Sequence, residues 1–89
     1  MIQGSEKDLS YLIKKYKNAV DEWNRTEQSI KDRITDRRES MTKFGSEDYY
    51  RNQIAMEEEL LSKIQDIRKS DEAFLVKLKE SYNQQYGKS

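Results

Sequence analysis

From Leu9 onward, two interleaved series of positions repeat at seven-residue spacing. One holds Leu9, Tyr16, Trp23, Ile30, Arg37 and Phe44, and the other holds Ile13, Val20, Glu27, Ile34 and Met41. Nine of these eleven positions are apolar, which draws one stripe along a helix and leaves no strand-like alternation. The chain has no proline. Thr26 and Thr35 are weak helix formers, yet nothing before Gly45 breaks the pattern.

Ser5, followed three residues later by Asp8, reads as a capping box that opens a first helix over about 5–44. Residues 1–4 are then a flexible leader. Gly45-Ser46 is the strongest punctuation inside the chain, because glycine accepts the positive φ after a helix and serine suits the cap of the next. Arg37, Arg38 and Lys43 precede this step and Glu47 and Asp48 follow it, each sign where the helix dipole favours it. The turn is therefore placed at about 45–48 and a second helix at about 48–86, with 87–89 as a frayed tail. Residues 5–86 form a single helical-hairpin domain. Ser70-Asp71 is a possible helix restart, but the stripe keeps its phase across it and continuity is expected.

The second helix carries Ile54, Leu61, Arg68, Leu75 and Tyr82 in one series, with Tyr50, Glu57, Ile64, Asp71, Leu78 and Gln85 in the other. The fold class is all-α: an antiparallel two-helix hairpin of coiled-coil type, completed to a bundle by self-association or by a partner. Two registers bring stripe against stripe, and the polar members decide between them. Partners whose numbers sum to 91 would set Glu27 against Ile64 and Arg37 against Ile54, desolvating charge without pairing it. Partners summing to 94 or 95 set Glu27 against Arg68, Arg37 against Glu57 and Trp23 against Asp71. The same register stacks Ile13 with Tyr82, Tyr16 with Leu78, Val20 with Leu75, Ile30 with Ile64, Ile34 with Leu61, Met41 with Ile54 and Phe44 with Tyr50. The second register is the expected one, with a connection of about four or five residues.

Beside its stripe the second helix has another apolar line, Met56, Leu60, Ile67 and Phe74, and the first helix adds Leu12 and Ala19. Two helices bury one stripe each, so this flank is read as a partner-binding surface. The competing reading is that these residues merely flank the hairpin core.

With 34% hydrophobic and 38% charged residues, 89 residues supply little core, and seventeen basic side chains cancel seventeen acidic ones. No summed charge draws the chain to nucleic acid, and no apolar run suits membrane insertion. Cysteine and histidine are both absent, which removes disulfides, the usual zinc ligands and the commonest general base. Glu57-Glu58-Glu59 with Asp66 lacks the histidines of a bundle metal site. Neither a metal nor another cofactor is expected, and no catalytic residue is assigned. Met1-Ile2-Gln3-Gly4 lacks the apolar core of a signal peptide. The expected setting is cytoplasmic, with export lacking a signal peptide left open.

Two known hairpin outlines share features with this chain, and neither fits. Small exported hairpins with a tryptophan–glycine turn are similar in size, but here Trp23 lies mid-helix and the turn holds Phe44-Gly45. Glu47 and Asp48 at a hairpin tip resemble the acidic fingertip of transcript-cleavage factors, but capping accounts for that pair. The expectation is a non-enzymatic helical interaction module, whether subunit, adaptor or small chaperone, partnered by protein as a homodimer or hetero-complex. The alternative is a small effector or inhibitor, linked to phage or secretion, that blocks a target surface.

Overall fold

The computed structural model describes residues 1–87, so the tail expected at 87–89 lies outside the described residues beyond Gly87. Two long helices, α1 (Glu6–Phe44) and α2 (Glu47–Tyr86), run antiparallel as a rod of 61 × 19 × 16 Å. The rod length matches the ~1.5 Å rise per residue of straight helices about forty residues long. Both helices are continuous, and Ser70-Asp71 lies inside α2.

Local chemistry sets the ends. Ser5 has extended φ/ψ, and its Oγ accepts the Asp8 N–H at 3.1 Å, which satisfies one of the free amides of the first turn. The threonines of α1 are accommodated by back-bonding: Thr26, Thr35 and Thr42 hydroxyls donate to the carbonyls of Glu22, Lys31 and Arg38.

The turn is tighter than the four or five residues expected. Only Gly45 and Ser46 separate the helices. Gly45 has φ 75° and ψ −140°, a region essentially reserved for glycine, and its N–H closes α1 on the Met41 carbonyl. Ser46 does not act as the expected side-chain cap: it is left-handed, at φ 55° and ψ 46°, and makes no capping bond. A capping hydroxyl needs the extended backbone that Ser5 has and Ser46 lacks.

The core is a single file of side chains. Leu9, Val20, Ile30 and Ile34 from α1 are buried together with Ile54, Ile64, Leu75 and Leu78 from α2. Ile30, Ile34, Ile54 and Ile64 form the central cluster, with Trp23 and Leu61 half-buried against it. Ile13, Tyr16, Met41, Tyr50 and Tyr82 of the expected stripe are half-buried. Phe44 is the exception, 74% exposed. It is the last residue of α1, and Tyr50, its expected mate, instead packs edge-on against Tyr49 at 5.3 Å.

Residues 1–4 were expected to be free. They form no helix, and they lie against the far end of α2. The Ile2 N–H donates to Ser81 Oγ at 2.9 Å, and Gln85 Nε2 donates to the Ile2 carbonyl at 2.6 Å. The Tyr86 hydroxyl donates to the Gly4 carbonyl. A Cβ added at Gly4 would sit 3.4 Å from the Leu9 side chain, at van der Waals contact, so the segment lies close over the core.

Candidate protein-interaction surface

Polar layers fix how the helices slide. Trp23 Nε1 donates to Asp71 Oδ2 at 2.9 Å, so the one polar atom of the indole is satisfied against the core. Arg68 Nε lies 3.1 Å from Glu27 Oε2. That N–H has no hydrogen-bond acceptor, so the contact is coulombic rather than directional. Glu27 is buried, and its other oxygen accepts Gln65 Nε2 at 2.8 Å. The Gln65 hydrogen bond, aided by the charges of Arg68 and Lys31, holds the Glu27 carboxyl below its ordinary value despite the opposing effect of burial. Arg68 is held on its other side by Glu72 at 2.9 Å. That bond, with the Glu27 and Glu72 charges, raises its pKa further.

Glu57 was expected to meet Arg37, and it does so at 3.4 Å. Its stronger partner is Arg33, which grips both carboxylate oxygens, Nε at 3.2 Å and Nη2 at 3.0 Å. This two-point bond is the main reason the Glu57 carboxyl is lowered. Arg37 Nε is buried without a partner. Arg33 sits one turn before Arg37, beside the stripe rather than in it, which is why reasoning confined to stripe positions passed over it. Gln65, Glu72 and Ser81 were missed for the same reason. The Tyr82 hydroxyl donates to Glu6 at 2.9 Å, and this bond raises the Tyr82 pKa.

The two flanks of the rod differ in kind. In an antiparallel pair, equivalent shoulder positions of both helices share a side. One side carries Ser10, Lys17, Asn24, Lys31 and Arg38 from α1 with Arg51, Glu58, Gln65, Glu72 and Lys79 from α2. Across it Arg38 bonds Glu58 at 3.0 Å. The other side carries Leu12, Ala19, Thr26, Arg33 and Ser40 with Gln53, Leu60, Ile67, Phe74 and Ser81.

The predicted flank divides along this second side. Phe74 is not spare, because its ring packs on Tyr16 with centroids 4.7 Å apart and is half-buried. Leu12 and Ala19 are half-buried too, and Ser81 is covered by the leader. Toward the turn, Met56 is 66% exposed and Leu60 and Ile67 are each 42% exposed, with Tyr49 exposed in line with them. Here α2 presents large apolar groups that nothing in the hairpin covers.

Among the described residues no cluster of carboxylates could hold a metal ion, and no helix is long and apolar enough to cross a membrane. Comparison with known proteins finds no matching family model, no similar curated sequence and no similar solved structure.

Proposed function

We propose that this chain is a non-enzymatic helical interaction module, a subunit, adaptor or small chaperone that completes a helical bundle with another protein surface. The observation that carries this reading is the two-sidedness of the hairpin. One flank is laced with charge, while the other exposes Met56, Leu60 and Ile67 in a row. Isolated exposed apolar residues are ordinary, but an aligned set beside a core stripe is the form in which helices recognise helices.

The thinness of the core supports the same reading. Eight buried apolar side chains hold two helices of 39 and 40 residues. Helical stability in proteins comes mainly from packing of an apolar face, and a second layer on the open flank would supply it. On this reading the setting is the cytoplasm, where the chain meets its partner already folded or folds upon it.

The test compares the parent with the variant carrying Leu60→Asp and Ile67→Asp. Association is followed by sedimentation for self-binding and by affinity capture for binding to host proteins, with circular dichroism as the control for folding. The variant should remain helical and lose association. Equal association by parent and variant would remove the apolar flank from the function.

A further inference from the structure

The leader is held by its main chain. The Ile2 N–H donates to Ser81 Oγ, the Ile2 carbonyl accepts Gln85 Nε2, and the Gly4 carbonyl accepts the Tyr86 hydroxyl. No leader side chain is buried: Met1 and Gln3 are exposed, and Ile2 is half-buried. A cleft of about 360 Å³ lined by Met1, Ile2, Lys77, Glu80, Ser81 and Gln84 leaves the segment unpacked along one edge.

The start of α1 does not depend on these contacts. Ser5 Oγ accepts the Asp8 N–H, the Ser5 carbonyl accepts the Leu9 N–H, and the Tyr82 hydroxyl donates to Glu6 inside the helix. Each of these bonds can persist when residues 1–4 move away. Fixing the backbone of one residue costs about as much as one hydrogen bond returns in water. Three bonds therefore do little more than offset the ordering of four residues, and the half-burial of Ile2 supplies the remainder. Docking is a closely balanced local equilibrium, whereas separating α1 from α2 exposes the whole core.

We propose that the leader is a strap that lifts from α2 by itself while both helices stay formed, giving this end of the rod a closed and an open form. The docked strap hides Ser81, which is 3% exposed, and lies against the Leu9 side chain. Ser81 continues the side of the rod that carries Leu60, Ile67 and Phe74. Lifting bares Ser81 and one face of Leu9, and it frees an acceptor and two donors on the last two turns of α2. The strap therefore sets how far along the rod the open side extends. Its use as a cover rests on the interaction-module reading, but its movement does not, and that movement is measurable on the chain alone.

A thiol in place of the Ser81 hydroxyl reports the movement, and it has no competitor because the chain has no cysteine. In Ser81→Cys the thiol is covered while the strap is down and reacts with iodoacetamide when the strap lifts. Labelling should be slower than in the urea-unfolded chain. Its rate should rise with urea by less than about one third of the slope of the same variant's global unfolding, followed by circular dichroism. Adding Ile2→Pro deletes the N–H that Ser81 accepts. Labelling should then speed up roughly two- to tenfold with the helical signal unchanged.

The Ile2 amide of the parent gives the same information without a cysteine: its hydrogen exchange should be slowed, again with a shallow urea slope. A labelling or Ile2 exchange rate that carries the full urea slope of global unfolding overturns the strap, because the leader then leaves only when the hairpin comes apart. An Ile2 amide that exchanges unprotected overturns it too, as does an Ile2→Pro chain that loses helicity or labels no faster. Any of these failures leaves the comparison of the parent with Leu60→Asp and Ile67→Asp untouched. Equal association in that comparison would in turn remove the flank's function and leave the strap's movement standing.

Discussion

At the end of the rod where Ile2 meets Ser81 and Gln85, Leu9 and Leu78 are fully buried and the leader is hydrogen-bonded to Ser81, Gln85 and Tyr86. At the end where the chain turns, Phe44 and Tyr49 face solvent and Met41 is half-buried. A covalent turn holds two helices together without needing a packed layer, whereas the open end has only side chains and the returning leader to close it. The tight end is therefore the one the backbone does not join. The same contrast runs along α2, whose flank is covered near Phe74 and Ser81 and open near Met56 and Leu60.

The largest expected effect is at the closed end. Leu78→Ala removes a fully buried side chain, and such deletions cost about 2–5 kcal/mol. Phe44→Ala, despite its larger ring, should change stability by no more than about 0.5 kcal/mol because it deletes surface. Urea unfolding followed by circular dichroism measures both. Similar costs at the two sites would mean that the turn end is packed in solution and that the contrast is false.

Next in size is the turn itself. Gly45→Ala meets no steric obstacle, since nothing lies within 4 Å of an added Cβ. Its cost comes from the backbone alone, about 1–3 kcal/mol for a side chain forced into a glycine-only region. If thermal unfolding shows no penalty, the turn relaxes freely, and the looseness at this end extends to the backbone.

Most of this architecture was legible in the sequence because it depends on period and sign. Seven-residue spacing required helices, Gly45 required the reversal, and the polar members of the stripe selected the register in which Trp23 meets Asp71 and Glu27 meets Arg68. The misreadings arose where tertiary context acts on single residues. Phe44 fits the periodicity, but the helix ends before anything can cover it. Phe74 looked spare because no spacing rule reveals that Tyr16 reaches sideways to it. Ser46 has the chemistry of a cap and the wrong backbone for it. The leader has no periodicity, and its docking depends on backbone amides and carbonyls, which every sequence possesses.

A smaller effect should come from that docking. Ser81→Ala removes the acceptor of the Ile2 N–H, and the net loss for one such bond is about 1 kcal/mol. Amide exchange should speed up at Leu9 and in the last turns of α2 while the turn half is unchanged. Protection lost evenly along the rod would show that the leader stabilises the whole molecule and not its open end.

Acid should act the other way, loosening the turn half before the closed end. Glu57, held by Arg33 and Arg37, and Glu27, held by Gln65, Arg68 and Lys31, both have carboxyls lowered from an ordinary value of 4.5. A carboxyl whose pKa is lower folded than unfolded adds stability that is fully present above the unfolded value and disappears as pH falls through the folded one. The contribution is therefore intact near neutrality and is withdrawn below about 4.5. The bonds that dock the leader at the open end join amides, carbonyls and hydroxyls, none of which changes charge in that range, while the exposed Tyr82–Glu6 bond beside them ends on a carboxylate. Residue-resolved amide exchange at about pH 6 and about pH 3, corrected for intrinsic rates, should show lower opening free energies around Glu57 and Glu27 in acid. Protection near Leu9 and Leu78 should fall less. A closed end that opens first in acid would mean that Glu27 and Glu57 are not what holds the turn half, and that Arg33 and Arg68 sit beside them without stabilising the fold.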